Sequence, residues 1–251
     1  MLELIFTSNP EYVDITKCHG LIVEALEYIN TREFTECKKV TEQGINIANE
    51  IKAKAIKLED ENTANAAFTV KSYFEFLLSL SNLWNNLYSG QYKNSWTSLQ
   101  DCFGILTVLR KFTENYDRFK LNFFESQLSE LEKLYPYKVF NSIEAIVKLE
   151  ECSICGKPTS DLDCNHIRGN LYWGEMAYSI IKDATLLATA LVENPLDKRC
   201  VIESVNGKEM NFEAVNYFVK HLPSPLHMFQ VEERTLKYKN EIYANVGRND
   251  K

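Results

Sequence analysis

Between Glu151 and Ile167 the chain carries Cys152, Cys155, Cys164 and His166, a C-x-x-C followed eight residues later by C-x-H. Two cysteines three apart reach one ion from a single tight turn, and three thiolates with one imidazole complete the tetrahedron that zinc prefers. Gly156 follows the second cysteine. A glycine there lets the backbone turn with positive φ, so that neighbouring amides point at thiolate sulfur. The gap between the two pairs holds Lys157, Pro158, Thr159, Ser160, Asp161 and Asp163, turn formers that bring the second pair round. Catalytic zinc usually keeps one position open for water, whereas four protein donors close the shell. The pattern therefore predicts a structural zinc ion held by Cys152, Cys155, Cys164 and His166, and it picks out no catalytic residue. The competing account is three buried, reduced cysteines beside a satisfied histidine.

Other polar residues lie close to this cluster in the sequence. Lys157, Arg168, Tyr172 and Trp173 would form a small basic and aromatic surface, the means by which some zinc knuckles hold single-stranded nucleic acid. Packing of the two rings against helices is their alternative role. Asp161, Asp163 and Glu175 would serve acid-base chemistry only if two of them faced each other across a pocket; solvated turn residues are the default. Phosphate-binding glycine loops, the G-x-S-x-G elbow and H-E-x-x-H are absent. Cys18 and His19 are adjacent, but neighbours in a helix point in different directions, which discounts a nucleophile-base pair.

The runs Cys-Ser-Ile-Cys-Gly at 152–156, Cys-Asn-His-Ile-Arg-Gly-Asn-Leu-Tyr-Trp-Gly-Glu at 164–175 and Leu-Val-Glu-Asn-Pro at 191–195 together carry a resemblance. They resemble a group of prokaryotic zinc-knuckle proteins of unassigned activity, with the pattern C-x-x-C-G followed by C-x-H-x-x-G-x-x-Y-x-G. The resemblance covers residues 150–203 and implies zinc at the four named ligands, with no reaction attached. Some related patterns carry a further cysteine soon after the Tyr-x-Gly, a region where this chain has Met176. The Asp163-Cys-Asn-His166-Ile run also loosely resembles the Asp-His-Ile strand of zinc-containing HNH nucleases. That reading would make His166 a general base, and it needs a downstream Asn and His at suitable spacing. His221 and His227 follow far away beside a Pro-rich turn, and a ligand histidine cannot also abstract protons.

The elements that must position this cluster come from the rest of the chain. With 251 residues, 45% of them hydrophobic, it can bury a substantial core in one large or two modest domains. The net charge of −7 leaves neither half with an excess of positive charge, which disfavours a general affinity for nucleic acid or anionic membrane. Met-Leu-Glu-Leu-Ile-Phe at the start has no basic leader, and no stretch reaches the ~20 apolar residues of a membrane helix. Outside the cluster, Cys18, Cys37, Cys102 and Cys200 are scattered, as expected of small buried hydrophobes in a reducing cytoplasm.

Apolar spacing predicts five helices before the cluster. After a short strand or extended lead-in at residues 2–6 and a helix start at Asn9-Pro10-Glu11, the first face is Ile15, Cys18, Ile22, Ala25, Leu26 and Ile29. The second runs from Cys37 to Ala55, and the third from Tyr73 to Leu87. A fourth spans Trp96 to Phe112 and a fifth Phe124 to Leu134. The junctions Leu26–Phe34 and Trp84–Tyr92 look alike, and the N-terminal part weakly resembles tetratricopeptide-like helical hairpins, without their ~34-residue period. Residues 138–149 suit either a strand or a connecting helix. Asn170 to Gly174 suggests an extended arm or turn, while Thr185–Val192 and Cys200–Val205 suit short strands. Phe212–His221 reads as a helix capped by Asn211, and residues 231–251 as a polar tail, helical at first.

These readings combine into an α+β, predominantly α chain. Antiparallel helical hairpins occupy residues 1–148, and a small zinc-stabilised module with short strands occupies 149–251. The expected function is that of a cytoplasmic, adaptor-type protein that binds another protein or peptide, with an enzyme holding substrate in a cleft between the domains left open. The alternative is a nucleic-acid-binding or HNH-like nuclease module.

Overall fold

Three interhelical turns of one geometry set the N-terminal architecture. In each, the residue in the left-handed region is Arg32 (φ 68°), Glu59 (φ 55°) or Gly90 (φ 70°). The next amide then reaches back five residues: Glu33 to Tyr28 O at 2.8 Å, Asp60 to Ala55 O at 2.9 Å, and Gln91 to Asn86 O at 2.8 Å. This is the Schellman ending, and here its last residue also opens the following helix. The carbonyls of Glu33, Asp60 and Gln91 accept from the amides of Cys37, Ala64 and Ser95. The chain therefore reverses with almost no loop, and antiparallel packing of successive helices follows.

The computed structural model describes residues 15–113, 120–205 and 207–226. The helices are α1 (Ile15–Thr31), α2 (Phe34–Lys57), α3 (Glu61–Tyr88), α4 (Tyr92–Phe112), α5 (Leu121–Lys133) and α6 (Glu213–His221). The expectations for residues 2–6, for Asn9-Pro10-Glu11, for His227 and for 231–251 fall outside the described residues. Helix α3 is the centre of the bundle. Phe74, Phe76, Leu77, Leu80 and Leu83 on it are fully buried, a girth of apolar contact that only a helix wrapped by neighbours can have. It starts twelve residues before the aromatic stripe, because Ala64, Ala67 and Val70 continue the buried face with small side chains. Gly44 on α2 lets the Phe74 ring lie against its backbone; a Cβ there would sit 2.3 Å from the ring. The expected burial of cysteines holds for Cys18, Cys37 and Cys102 but not for Cys200. That residue is exposed on the loop whose carbonyl accepts from Asn141.

Past the bundle, six strands form three separate antiparallel pairs among the described residues. Strand β1 (Phe140–Cys152) pairs with β4 (Ser179–Val192) from Phe140↔Val192 to Cys152↔Ser179, with three register shifts along the way. Between them lie β2 (Leu171–Tyr172) and β3 (Glu175–Met176); β5 (Ser204–Val205) and β6 (Lys208–Glu209) follow. The segment compatible with strand or helix is thus a strand. The segment expected as a short strand at 185–192 is the second half of a fourteen-residue one. Isolated β-propensity does not show this length; cross-strand pairing with β1 extends it.

The ribbon β1–β4 is fixed at both ends. At one end Phe140 is buried and stacks on Trp96 of α4, beside Tyr135 and Tyr137. The Trp96 indole donates to Lys198 O at 2.8 Å, which draws the chain after β4 back to the bundle. Helix α6 closes this corner through buried Val215 and Val219, with the Tyr92 hydroxyl donating to Asn216 Oδ1 at 3.0 Å. The other end docks on the start of α3. A 28-residue helix is about 42 Å long and a 13-residue strand about 43 Å, so the ribbon spans the length of α3.

Candidate metal centre

The C-x-x-C sits where β1 ends. Cys152 is the last residue of β1, and its amide donates to Lys157 O at 2.8 Å while the Gly156 amide returns to Cys152 O at 2.8 Å. Gly156 has φ 71°, the left-handed turn expected of it. Thr159 then donates to Glu150 O, so residues 157–159 run back along the strand and the knuckle is a closed loop. A second loop delivers the other pair. Asp161 Oδ1 accepts from the Asp163 amide at 2.9 Å, turning the chain into Cys164. The Ile167 amide donates to the Tyr172 hydroxyl at 2.7 Å, and the Tyr172 ring meets His166 edge-on at 4.7 Å.

The outcome is convergence of all four predicted residues. Sulfur of Cys152, Cys155 and Cys164 and a ring nitrogen of His166 lie within 4.8 Å of one another. Cys155 and Cys164 sulfurs are 3.7 Å apart, close to the roughly 3.8 Å edge of a tetrahedron with 2.3 Å zinc–sulfur bonds. His166 Nδ1 is buried and has no hydrogen-bond partner, as befits a ring nitrogen reserved for a metal. The donor set and its spacing therefore fit a zinc ion. Backbone amides act on two of the three thiols. The Cys155 amide, then that of Ile154, points at Cys152 and holds its thiol below the usual range. For Cys164 the His166 amide acts in the same direction, but burial and the neighbouring thiols outweigh it and leave that thiol raised.

The hairpin β2–β3 couples this centre to the bundle. Trp173 (φ 52°) and Gly174 (φ 74°) form a two-residue turn with both φ positive, the hairpin geometry that matches strand twist. Its two amides donate to α3, Trp173 to Glu61 Oε1 at 3.2 Å and Gly174 to Asn65 Oδ1 at 2.7 Å. A Cβ on Gly174 would sit 2.6 Å from the Ala64 carbonyl oxygen, so only glycine permits this approach. Lys52 of α2 pairs with Glu175, and Lys111 at the end of α4 donates to Gly169 O. Sequence reasoning missed Lys52, Glu61, Asn65 and Lys111. Each is an ordinary polar residue on a helix, and only the tertiary arrangement gives it a task.

Lys157 lies 3.7 Å from Asp163, and Arg168 is exposed. Tyr172 packs on His166 and so buttresses the metal centre; Trp173, at the hairpin tip, is partly exposed. The three nearby carboxylates each have their own partner: Asp161 the Asp163 amide, Asp163 Lys157, and Glu175 Lys52. His221 stacks on Tyr217 with centroids 4.1 Å apart, and its Nδ1 lies 2.7 Å from Tyr217 O. No helix among the described residues is long and apolar enough to cross a membrane. Compared with models of protein families, with curated proteins and with solved structures, the chain matches none.

Proposed function

We propose that this is a zinc-stabilised, adaptor-type interaction protein in which Cys152, Cys155, Cys164 and His166 hold a structural zinc ion. The observation that supports this most is the convergence of four protein donors at the end of the ribbon, a set that closes a tetrahedral shell. When bound, the ion would supply no chemistry beyond tying together two loops that have little apolar interior of their own. The residues around it bind and orient. Tyr172 fixes the His166 ring, the knuckle amides support Cys152, and the Trp173-Gly174 turn fastens the centre to α3. The division into a helical domain, residues 1–148, and a zinc-bearing module, 149–251, belongs to the same proposal. Strand β1 runs across that boundary, so the ribbon serves both parts.

Two measurements test the reading. Elemental analysis of the purified chain should find one zinc per molecule, absent from Cys155→Ser. A tagged chain recovered from its native host should carry a protein in stoichiometric amount. Salt-sensitive retention on single-stranded nucleic acid, weakened by Lys157→Ala with Arg168→Ala and accompanied by no such protein, would replace it with the nucleic-acid reading.

A further inference from the structure

One face of the ribbon is apolar and nothing in the described chain covers it. Along β1, Asn141, Ile143, Ala145 and Val147 alternate onto one side, and their cross-strand partners Leu191, Thr189, Leu186 and Ala184 stand beside them. This row holds no charged residue. Phe140, Ser142, Glu144 and Ile146 occupy the opposite side, which carries a charge at Glu144 and reaches the core only through Phe140. Ile143 is 70% exposed, Leu191 66% and Leu186 61%. With Leu187 at the bulge and Val147, they present on the order of 500 Å² of apolar surface, at the upper end of what a monomer usually leaves bare.

Bare strands of this composition are hazardous. From Thr185 to Val192, β4 reads Thr-Leu-Leu-Ala-Thr-Ala-Leu-Val, without a charge, proline or glycine. Such a face stacks on other apolar sheets as a dry zipper unless the native assembly covers it.

We propose that the cover is a second copy of this chain, two ribbons packing apolar face to apolar face about a two-fold axis as a small four-stranded sandwich. Two observations select a second copy. The first is area: about 500 Å² of apolar surface per chain is the apolar share of the ~800 Å² that each partner contributes to a standard interface. The second is charge. Each chain carries −7 and repels its copy over most of its surface, but the ribbon row is uncharged, so superposing it on itself brings no like charges together. The aromatic corner and the docked metal centre hold the ribbon at both ends, so little order remains to be gained on pairing. This deepens the interaction reading by naming one partner, and the two fail separately.

The test is the mass of the zinc-loaded full chain in sedimentation equilibrium at tens of micromolar. Twice the 29.1 kDa chain mass is expected. Ile143→Glu combined with Leu186→Glu should give the single-chain mass with zinc content and far-UV circular dichroism unchanged, because both side chains are exposed in one chain. Thr185→Glu, on the opposite side, should leave the dimer intact. A wild-type chain that stays single, a doubly substituted chain that still pairs, or a dimer abolished by Thr185→Glu alone would each overturn the proposal. A single wild-type chain that co-purifies with another protein, lost from the doubly substituted chain, removes self-association but keeps the adaptor reading.

Discussion

Gly44 and Asp60 show how single residues bear on stability here. Alanine at Gly44 would ordinarily gain roughly 1 kcal/mol in helix propensity. Its Cβ, however, would meet the Phe74 ring at 2.3 Å, and that ring is fully buried, so moving it displaces core neighbours. Overpacking of this kind costs about 1–3 kcal/mol, so Gly44→Ala should lower the urea midpoint of unfolding; a raised midpoint would refute the packing argument. Asp60 caps α3, accepting from the Thr63 hydroxyl at 2.6 Å and the Thr63 amide at 3.0 Å. Those bonds, the hydroxyl first, hold its carboxyl below the usual carboxylate range. A folded pKa below the unfolded one, ~3.9, means stability that is present above that value and lost as pH falls through the folded pKa. Asp60→Ala should therefore cost on the order of 1 kcal/mol at neutral pH. The gap from wild type should narrow below about pH 4, and chemical denaturation at both pH values checks the sign.

At the scale of elements, one turn used three times accounts for the hairpin arrangement. Two of the three were legible in the sequence as similar junctions, since Gly90 and the aromatic residues that open α2 and α4 mark them. The third, at Glu59, was not, because a glutamate gives no sign of a left-handed backbone. Its side chain is exposed, so Glu59→Gly should stabilise the protein by roughly 0.5–1 kcal/mol, relief of backbone strain exceeding the entropy glycine adds to the unfolded chain. Arg32 would not respond in this way. Its guanidinium lies 4.2 Å over the Tyr88 ring and donates to Pro223 O, contacts a glycine would forfeit. The β2–β3 hairpin makes the opposite point. Gly174→Ala would push against the Ala64 carbonyl and strain a turn at φ 74°, so amide exchange should quicken across residues 169–178 while α1 to α4 keep their protection.

For the whole molecule, the metal centre and the aromatic corner are two separate fastenings of one ribbon. If the proposed zinc is bound, a chelator, or serine in place of Cys155, should release the knuckle and its docking on α3. Proteolysis within residues 150–205 should then increase while most helical circular dichroism persists. A chelated protein that keeps full protection there would show that the ribbon and bundle hold the loops without an ion.

Spacing alone determined that five helices precede the cluster, which four residues form the Cys3His group, and the turn at Gly156, because periodicity and residue separation are local properties that neighbours in sequence impose on one another. Tertiary structure alone decided that residues 140–152 form a strand and that β4 extends to fourteen residues, since cross-strand pairing supplies what isolated propensity lacks. It also decided that the ribbon lies free along its middle and that Lys52, Glu61, Asn65 and Lys111 hold the metal centre to the bundle. Those contacts join residues about sixty to more than a hundred positions apart, and no window of sequence contains both partners.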